Sequence, residues 1–226
     1  MYFFGLWKRV FLYAGLVLQS VYILSRGLTL GRLPLVGPHD TLIFLSASVV
    51  AFFIPFSAFI KADVFSRGVA LVSVAFTASG LVASPNNAPL PAVLKTLWFE
   101  LHVVLAFLSY GLFGIGAIIG HIYFREKDVS LEGMQYRAIL IGYCLFSLSM
   151  IFGGIWAYLA WGTYWLWTPK ELWTSIVWLF YGLYLHARLV QRWNGPPLAL
   201  LSMAGFIVVI FTYLGVSLLM KSSHTF

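Results

Sequence analysis

The sequence predicts an all-α fold: a polytopic membrane helix bundle of about seven transmembrane helices, with the N-terminus cytoplasmic and the C-terminus on the outer side. Three observations predict it. First, 61% of the 226 residues are hydrophobic and only 9% are charged, whereas a soluble domain carries roughly 25% charged residues. The mean hydropathy of +0.91 agrees. Second, the apolar residues gather into long runs, and about 20 such residues in a helix cross a bilayer. Third, the fourteen Lys and Arg fall mostly at the ends of those runs, the placement expected of a membrane protein.

The runs, in order, cover residues 7–24, 41–59, 65–83, 97–124, 138–160, 172–189 and 198–220. The first carries Lys8 and Arg9 at its start, as a signal peptide would, but Ser25-Arg26-Gly27 offers no small-x-small cleavage site, so it is expected to be retained. With the N-terminus inside, the inner segments hold Lys8, Arg9, Lys61, Arg67, Arg125, Lys127, Arg137, Arg188 and Arg192. The outer ones hold Arg26, Arg32, Lys95, Lys170 and Lys221. Nine against five fixes the expected orientation, and the charged stretch from Arg125 to Arg137 reads as a cytoplasmic loop. No repeat, low-complexity tract or soluble module interrupts the chain. One membrane domain over 1–226 is expected, with a tryptophan-rich outer loop at 156–173.

The net charge of +7 is accounted for by these flanking residues and calls for no nucleic acid. The single cysteine, Cys144, lies in an apolar run and excludes an intrachain disulfide or a CxxC centre. Intramembrane carboxylates and broken helices, the marks of a solute transporter, are lacking; Glu100 alone sits near a helix, at its outer end.

The loop is the most unusual feature. Six of the nine tryptophans lie between Trp156 and Trp178. An interfacial aromatic belt explains two or three of them at a helix end. Trp161, Tyr164, Trp165 and Trp167 packed into one short segment also fit a platform for a flat, apolar, partly anionic ligand. Both readings stand on composition. Thr168-Pro169-Lys170-Glu171 has the pattern of a capping box, with Thr168 as N-cap, Pro169 at the first helical position and Glu171 at the third. The unpaired N–H groups at that helix start favour an anion, and Lys170 would lie beside its acidic groups. Capping alone explains Thr168, Pro169 and Glu171 equally well.

Five histidines remain: His39, His102, His121, His186 and His224. A haem iron takes up to two axial imidazoles that need not be near in sequence. His102 and His224, with His39 as a third candidate, fall on the expected outer side. His121 follows His102 by 19 residues, roughly 28 Å of helix, and so reaches the inner end. His186 lies 15 residues past Glu171, roughly 22 Å, and could join His121 at an inner site. Each is also explicable as an interfacial or hydrogen-bonded histidine.

The run Trp161-Gly162-Thr163-Tyr164-Trp165-Leu166-Trp167-Thr168-Pro169-Lys170-Glu171-Leu172-Trp173 resembles the WWD signature of the cytochrome c assembly proteins, and most closely the CcsA (ResC-like) branch. The resemblance extends to the 178–188 helix with His186, to Leu101-His102 followed by Leu108-Ser109-Tyr110, to Thr212–Val216 leading to His224, and to the segment from Arg32 to Leu42. It implies a haem-handling protein that carries haem b and presents it on the outer face of the membrane for covalent attachment to apocytochrome c. In that family pattern His102 and His224 are the external axial ligands and His186 is a possible transmembrane haem ligand. Trp161, Tyr164, Trp165, Trp167, Thr168, Pro169, Lys170, Glu171 and Trp173 form the cradle. The attachment thiols are those of the apocytochrome CxxCH. The implied partner is a second membrane subunit with a large outer domain, ResB-like. The implied setting is the bacterial cytoplasmic membrane ahead of a thylakoid. On this reading the chain is a component of a cytochrome c synthase rather than a self-contained enzyme. Thr168 stands where the family pattern has aspartate, which leaves a second expectation: a homologue that assembles or regulates another haem-related membrane enzyme without attaching haem.

Overall fold

The computed structural model describes residues 1–60 and 63–219. Among them, six helices are long and apolar enough to cross a membrane. They are α1 (Val10–Leu30), α2 (Pro38–Ser57), α3 (Asp63–Val82), α4 (Leu97–Glu126), α5 (Ser130–Trp161) and the seventh helix in order. That helix, α7, runs over Pro196–Ile210 and continues through a π turn at Phe211–Gly215 into a last turn, Val216–Leu219. Between α5 and α7 lies α6 (Pro169–Leu189). It is as long as the spans but carries Lys170, Glu171, His186 and Arg188. The all-helical, multi-pass membrane architecture therefore stands. The helices fall into two compact units, Met1–Leu90 and the residues from Pro91 onward.

In the first unit α2 is the buried element, its first turns enclosed on nearly every side. Gly80 of α3 lets the two backbones meet: a Cβ there would lie 3.2 Å from the His39 carbonyl oxygen. Polar side chains pin the helices at several levels. Ser46 Oγ donates to the Ser73 carbonyl at 3.0 Å and meets Thr77 Oγ1 at 2.9 Å. Lower down, Phe53 packs on Phe65 at 5.2 Å. Such bonds hold helices together where lipid offers no hydrophobic drive for association. Arg26 of α1 grips both oxygens of Asp40 on α2, through Nε and Nη2, and the Asp40 side chain is 0% exposed. Truncating one partner of a buried pair leaves the other charged and unsolvated, at a cost of about 3–5 kcal/mol. Asp40→Ala is therefore expected to lower the thermal midpoint in detergent clearly, while Asp63→Ala, whose partner Arg9 is met at 3.5 Å from a 79% exposed side chain, leaves it nearly unchanged.

The second unit is built on the α4–α5 hairpin. Lys127 turns the chain with a left-handed backbone (φ 55°), and Asp128 accepts the Ser130 N–H at 2.8 Å to start α5. Glycines on both helices admit the neighbour's side chains: Gly116 faces Ile139, and Gly142 faces Phe113. The ring of Tyr181 on α6 stacks on Phe113 at 3.6 Å and 7° and fills the hollow at Gly205 of α7. At the far end Arg188 of α6 pairs with Glu132 of α5 at 3.0 Å. Gln135 there donates to the Gly116 carbonyl and accepts from the Tyr184 hydroxyl.

Candidate functional site

Thr96 opens α4, its side chain accepting the Phe99 N–H at 3.2 Å, and this places His102 in the second turn, facing α5. The imidazole Nδ1 lies 2.9 Å from the Ser149 carbonyl oxygen. A carbonyl only accepts, so in the neutral ring the proton sits on Nδ1 and Nε2 keeps its lone pair. Ser149 closes the contact from its own side: its hydroxyl donates to the His102 carbonyl at 2.8 Å and stands 3.1 Å from Nδ1. Gly153, one turn along α5, provides the room. A Cβ built there would fall 2.6 Å from Nδ1 and 2.9 Å from Cε1. The next turn brings Trp156, whose ring lies nearly parallel to the imidazole (6.4 Å, 13°). Its indole N–H donates to the Val93 carbonyl at 2.7 Å, and its edge meets Trp161 at 4.9 Å. A continuous series of rings, His102 to Trp156 to Trp161, thus joins α4 to the end of α5.

Helix α5 runs through Trp161 and ends on Gly162 (φ 74°), whose N–H returns to the Tyr158 carbonyl, the left-handed closure that glycine favours. The non-helical loop is therefore residues 162–168, shorter than the 156–173 expected. Trp156 and Trp173 are helical because apolar residues continue the pattern of α5 and the capping box starts α6 at Pro169. That box is complete. Thr168 Oγ1 accepts the Glu171 N–H at 3.4 Å, and Glu171 Oε2 accepts the Thr168 N–H at 2.9 Å. The same oxygen also accepts the Leu166 N–H at 2.9 Å. The two amides so held flank Trp167, a non-glycine residue in the left-handed region at φ 57°. That conformation is disfavoured, and the buried Glu171 carboxylate clamps it from both sides. The result is presentation: the Trp167 side chain is 70% exposed. Nearby Tyr164 is exposed and stacks on Tyr158 at 4.6 Å and 13°.

Trp165 and Pro169 are half-buried in and beside this loop. Burial lowers the pKa of the Lys170 ammonium from the usual lysine value. Trp173 turns elsewhere: its ring meets Phe211, at the π turn of α7, at 4.5 Å. π turns recur at functional sites, and nothing in the sequence pattern signalled this one.

The described residues thus link His102 through Trp156 to Trp161, the last residue of α5 before the loop. They keep His186 apart, exposed near the far end of α6. His121 is likewise exposed at the end of α4, and no group of three or more metal-ligating side chains occurs among the described residues. His224 lies outside them. His39 is engaged by the protein: Nδ1 faces the Gly80 and Ala83 carbonyls, and Nε2 meets the Tyr22 hydroxyl at 2.7 Å. Ser149 and Gly153 escaped the sequence reading. Their signal was the Gly153-Gly154 pair in an otherwise apolar run, which marks close approach by another group.

The family model described as "Cytochrome C assembly protein" matches residues 36–224, most of the chain. The chain belongs to the cytochrome c assembly protein family. It is 30% identical over 248 residues to "Cytochrome c biogenesis protein CcsA" of Prochlorococcus marinus (strain MIT 9312), covering 92% of this chain and 74% of the relative. It is 31% identical to the protein of that name from Guillardia theta, covering 92% and 81%, and 29% identical to the one from Chlorella vulgaris, covering 92% and 81%.

Proposed function

We propose that this protein acts in cytochrome c maturation by binding haem b and presenting it on the outer face of its membrane for attachment to apocytochrome c. The names carried by its relatives support the first half of this reading. The single observation that carries the second is the seating of His102. Its Nδ1 is bonded to a carbonyl, the arrangement that orients a histidine ligand and raises the basicity of the other nitrogen. Nε2 is left as the candidate axial ligand. The Trp156 ring lies nearly parallel to the imidazole with Trp161 at its edge; the exposed Trp167 is the proposed flat apolar face of the loop, and Lys170 with the start of α6 the proposed positive potential for the propionates. His224 is the proposed second outer ligand and His186 a proposed ligand on the path through the membrane. Haem here is cargo; this chain's part is to hold and orient it. Orientation of both reactants supplies much of the rate in such a step, and the CxxCH thiols come from the apocytochrome.

We place the N-terminus inside and the loop outside, in a bacterial cytoplasmic membrane, beside a ResB-like subunit with a large outer domain. Fractionation distinguishes that setting from a thylakoid membrane. Complementation tests the function: in a strain lacking its own CcsA-type gene, this chain with its partner subunit is expected to restore covalent holocytochrome c, detected by haem staining of denatured protein. A stable, membrane-inserted chain that restores none would overturn the proposal in favour of an assembly homologue that does not attach haem.

A further inference from the structure

The first unit carries a second cluster of charge, far in sequence from His102. Arg26 and Arg32 both point donors at one backbone oxygen, that of Asn86: Arg26 Nη2 at 3.2 Å and Arg32 Nη2 at 3.4 Å. Arg26 is also matched by Asp40 and by the Asn87 side chain. Arg32 is not matched. Among the described residues no carboxylate lies within ion-pair distance of it, its second long contact is the Ala88 carbonyl at 3.5 Å, and its Nη1 is buried with no hydrogen-bond partner. Two guanidinium groups and one carboxylate leave one positive charge over. A buried guanidinium N–H without an acceptor costs free energy, and burial lowers the pKa of Arg32 below the usual arginine value, the Asp40 carboxylate opposing the shift and Arg26 adding to it. The cluster sits where α1 ends and α2 begins, at the ends of two spans, which is the depth of lipid headgroups.

We infer that Arg32, held against the Asn86–Ala88 backbone beside Arg26, is an anion site for a phosphate group, supplied by an acidic phospholipid headgroup or by dissolved phosphate. A guanidinium fork matches the oxygens of a phosphate, and the bound charge would balance the cluster.

The test uses the full chain. Wild-type protein in phosphatidylglycerol nanodiscs is expected to melt several degrees above protein in phosphatidylcholine nanodiscs. Arg32→Gln should lose most of that difference, and Arg67→Gln, an exposed arginine on α3, should keep it. In delipidated detergent solution, a midpoint raised by inorganic phosphate and not by chloride assigns the dissolved source. No rise there, with the nanodisc difference intact, assigns the headgroup. If Arg32→Gln does not fold, native mass spectrometry of the wild type decides. Retained phosphatidylglycerol supports the site; no retained acidic lipid and no phosphate response overturn it. An Arg32→Gln protein that keeps the full lipid preference and phosphate response also overturns it, as does one that loses only haem, since the anion would then be a haem carboxylate.

Discussion

Gly153→Ala is expected to lower haem occupancy of the purified protein by about 10- to 100-fold in affinity. The added methyl would stand 2.6 Å from His102 Nδ1, a distance at which one group must move. The α5 backbone is locked against α4 by the Ser149 bonds, so the imidazole yields. Overpacking of this kind costs about 1–3 kcal/mol, and each 1.4 kcal/mol is tenfold in affinity. The adjacent position is the control. A Cβ on Gly154 would meet only the Tyr164 carbonyl oxygen, at 3.6 Å, so Gly154→Ala should bind haem as the wild type does. Free imidazole, able to occupy the vacated ligand position, should restore part of the Soret absorbance of Gly153→Ala. The measurement is the haem-to-protein ratio of both variants, with and without imidazole. Equal loss in the two would mean that the helix, not the His102 seat, is what the substitutions disturb.

Glu171→Ala is expected to release the loop. It removes two charge-assisted hydrogen bonds, to the Leu166 and Thr168 amides, each worth about 1.5–3 kcal/mol. The left-handed backbone of Trp167, flanked by both, then has nothing to hold it and relaxes toward an ordinary conformation. Hydrogen exchange at the Leu166 and Thr168 amides should quicken by about a hundredfold or more, as expected for a loss on the order of 3 kcal/mol, while the Tyr181–Phe113 region stays protected. Haem loading should fall with the loop. Glu171→Gln keeps an acceptor oxygen without the charge and should lie between. Thr168→Asp, which restores the residue of the family pattern, should change little, because both residues cap a helix well. Rapid exchange confined to Thr168 in Glu171→Ala would show that the Leu166 bond contributes nothing.

The sequence made the number and order of the helices legible because apolar runs of spanning length can be read directly. It misjudged ends where a polar residue is satisfied far along the chain. α1 was expected to stop at residue 24, yet it runs to Leu30, since Arg26 is neutralised by Asp40. α5 was expected to begin near 138 but begins at Ser130, because Glu132 meets Arg188 and Gln135 meets the Gly116 carbonyl. A partner 56 residues away leaves no local trace. At the site, the capping box was legible in full, since its residues are neighbours. The second bond of Glu171, to Leu166, was not. The role of Ser149 was invisible for a different reason: the atom that matters most is its backbone carbonyl, which every residue carries. Trp173 was grouped with the loop by proximity in sequence, whereas its place on α6 turns its ring to Phe211.

We propose that His102 holds haem iron. The most direct test is the optical spectrum of the full chain purified from haem-replete membranes. The wild type should show a Soret band with near-stoichiometric haem. His102→Ala should lose most of it, and imidazole added during purification should bring it back. A His102→Ala protein with undiminished haem and an unchanged spectrum would show that His102 is not the ligand.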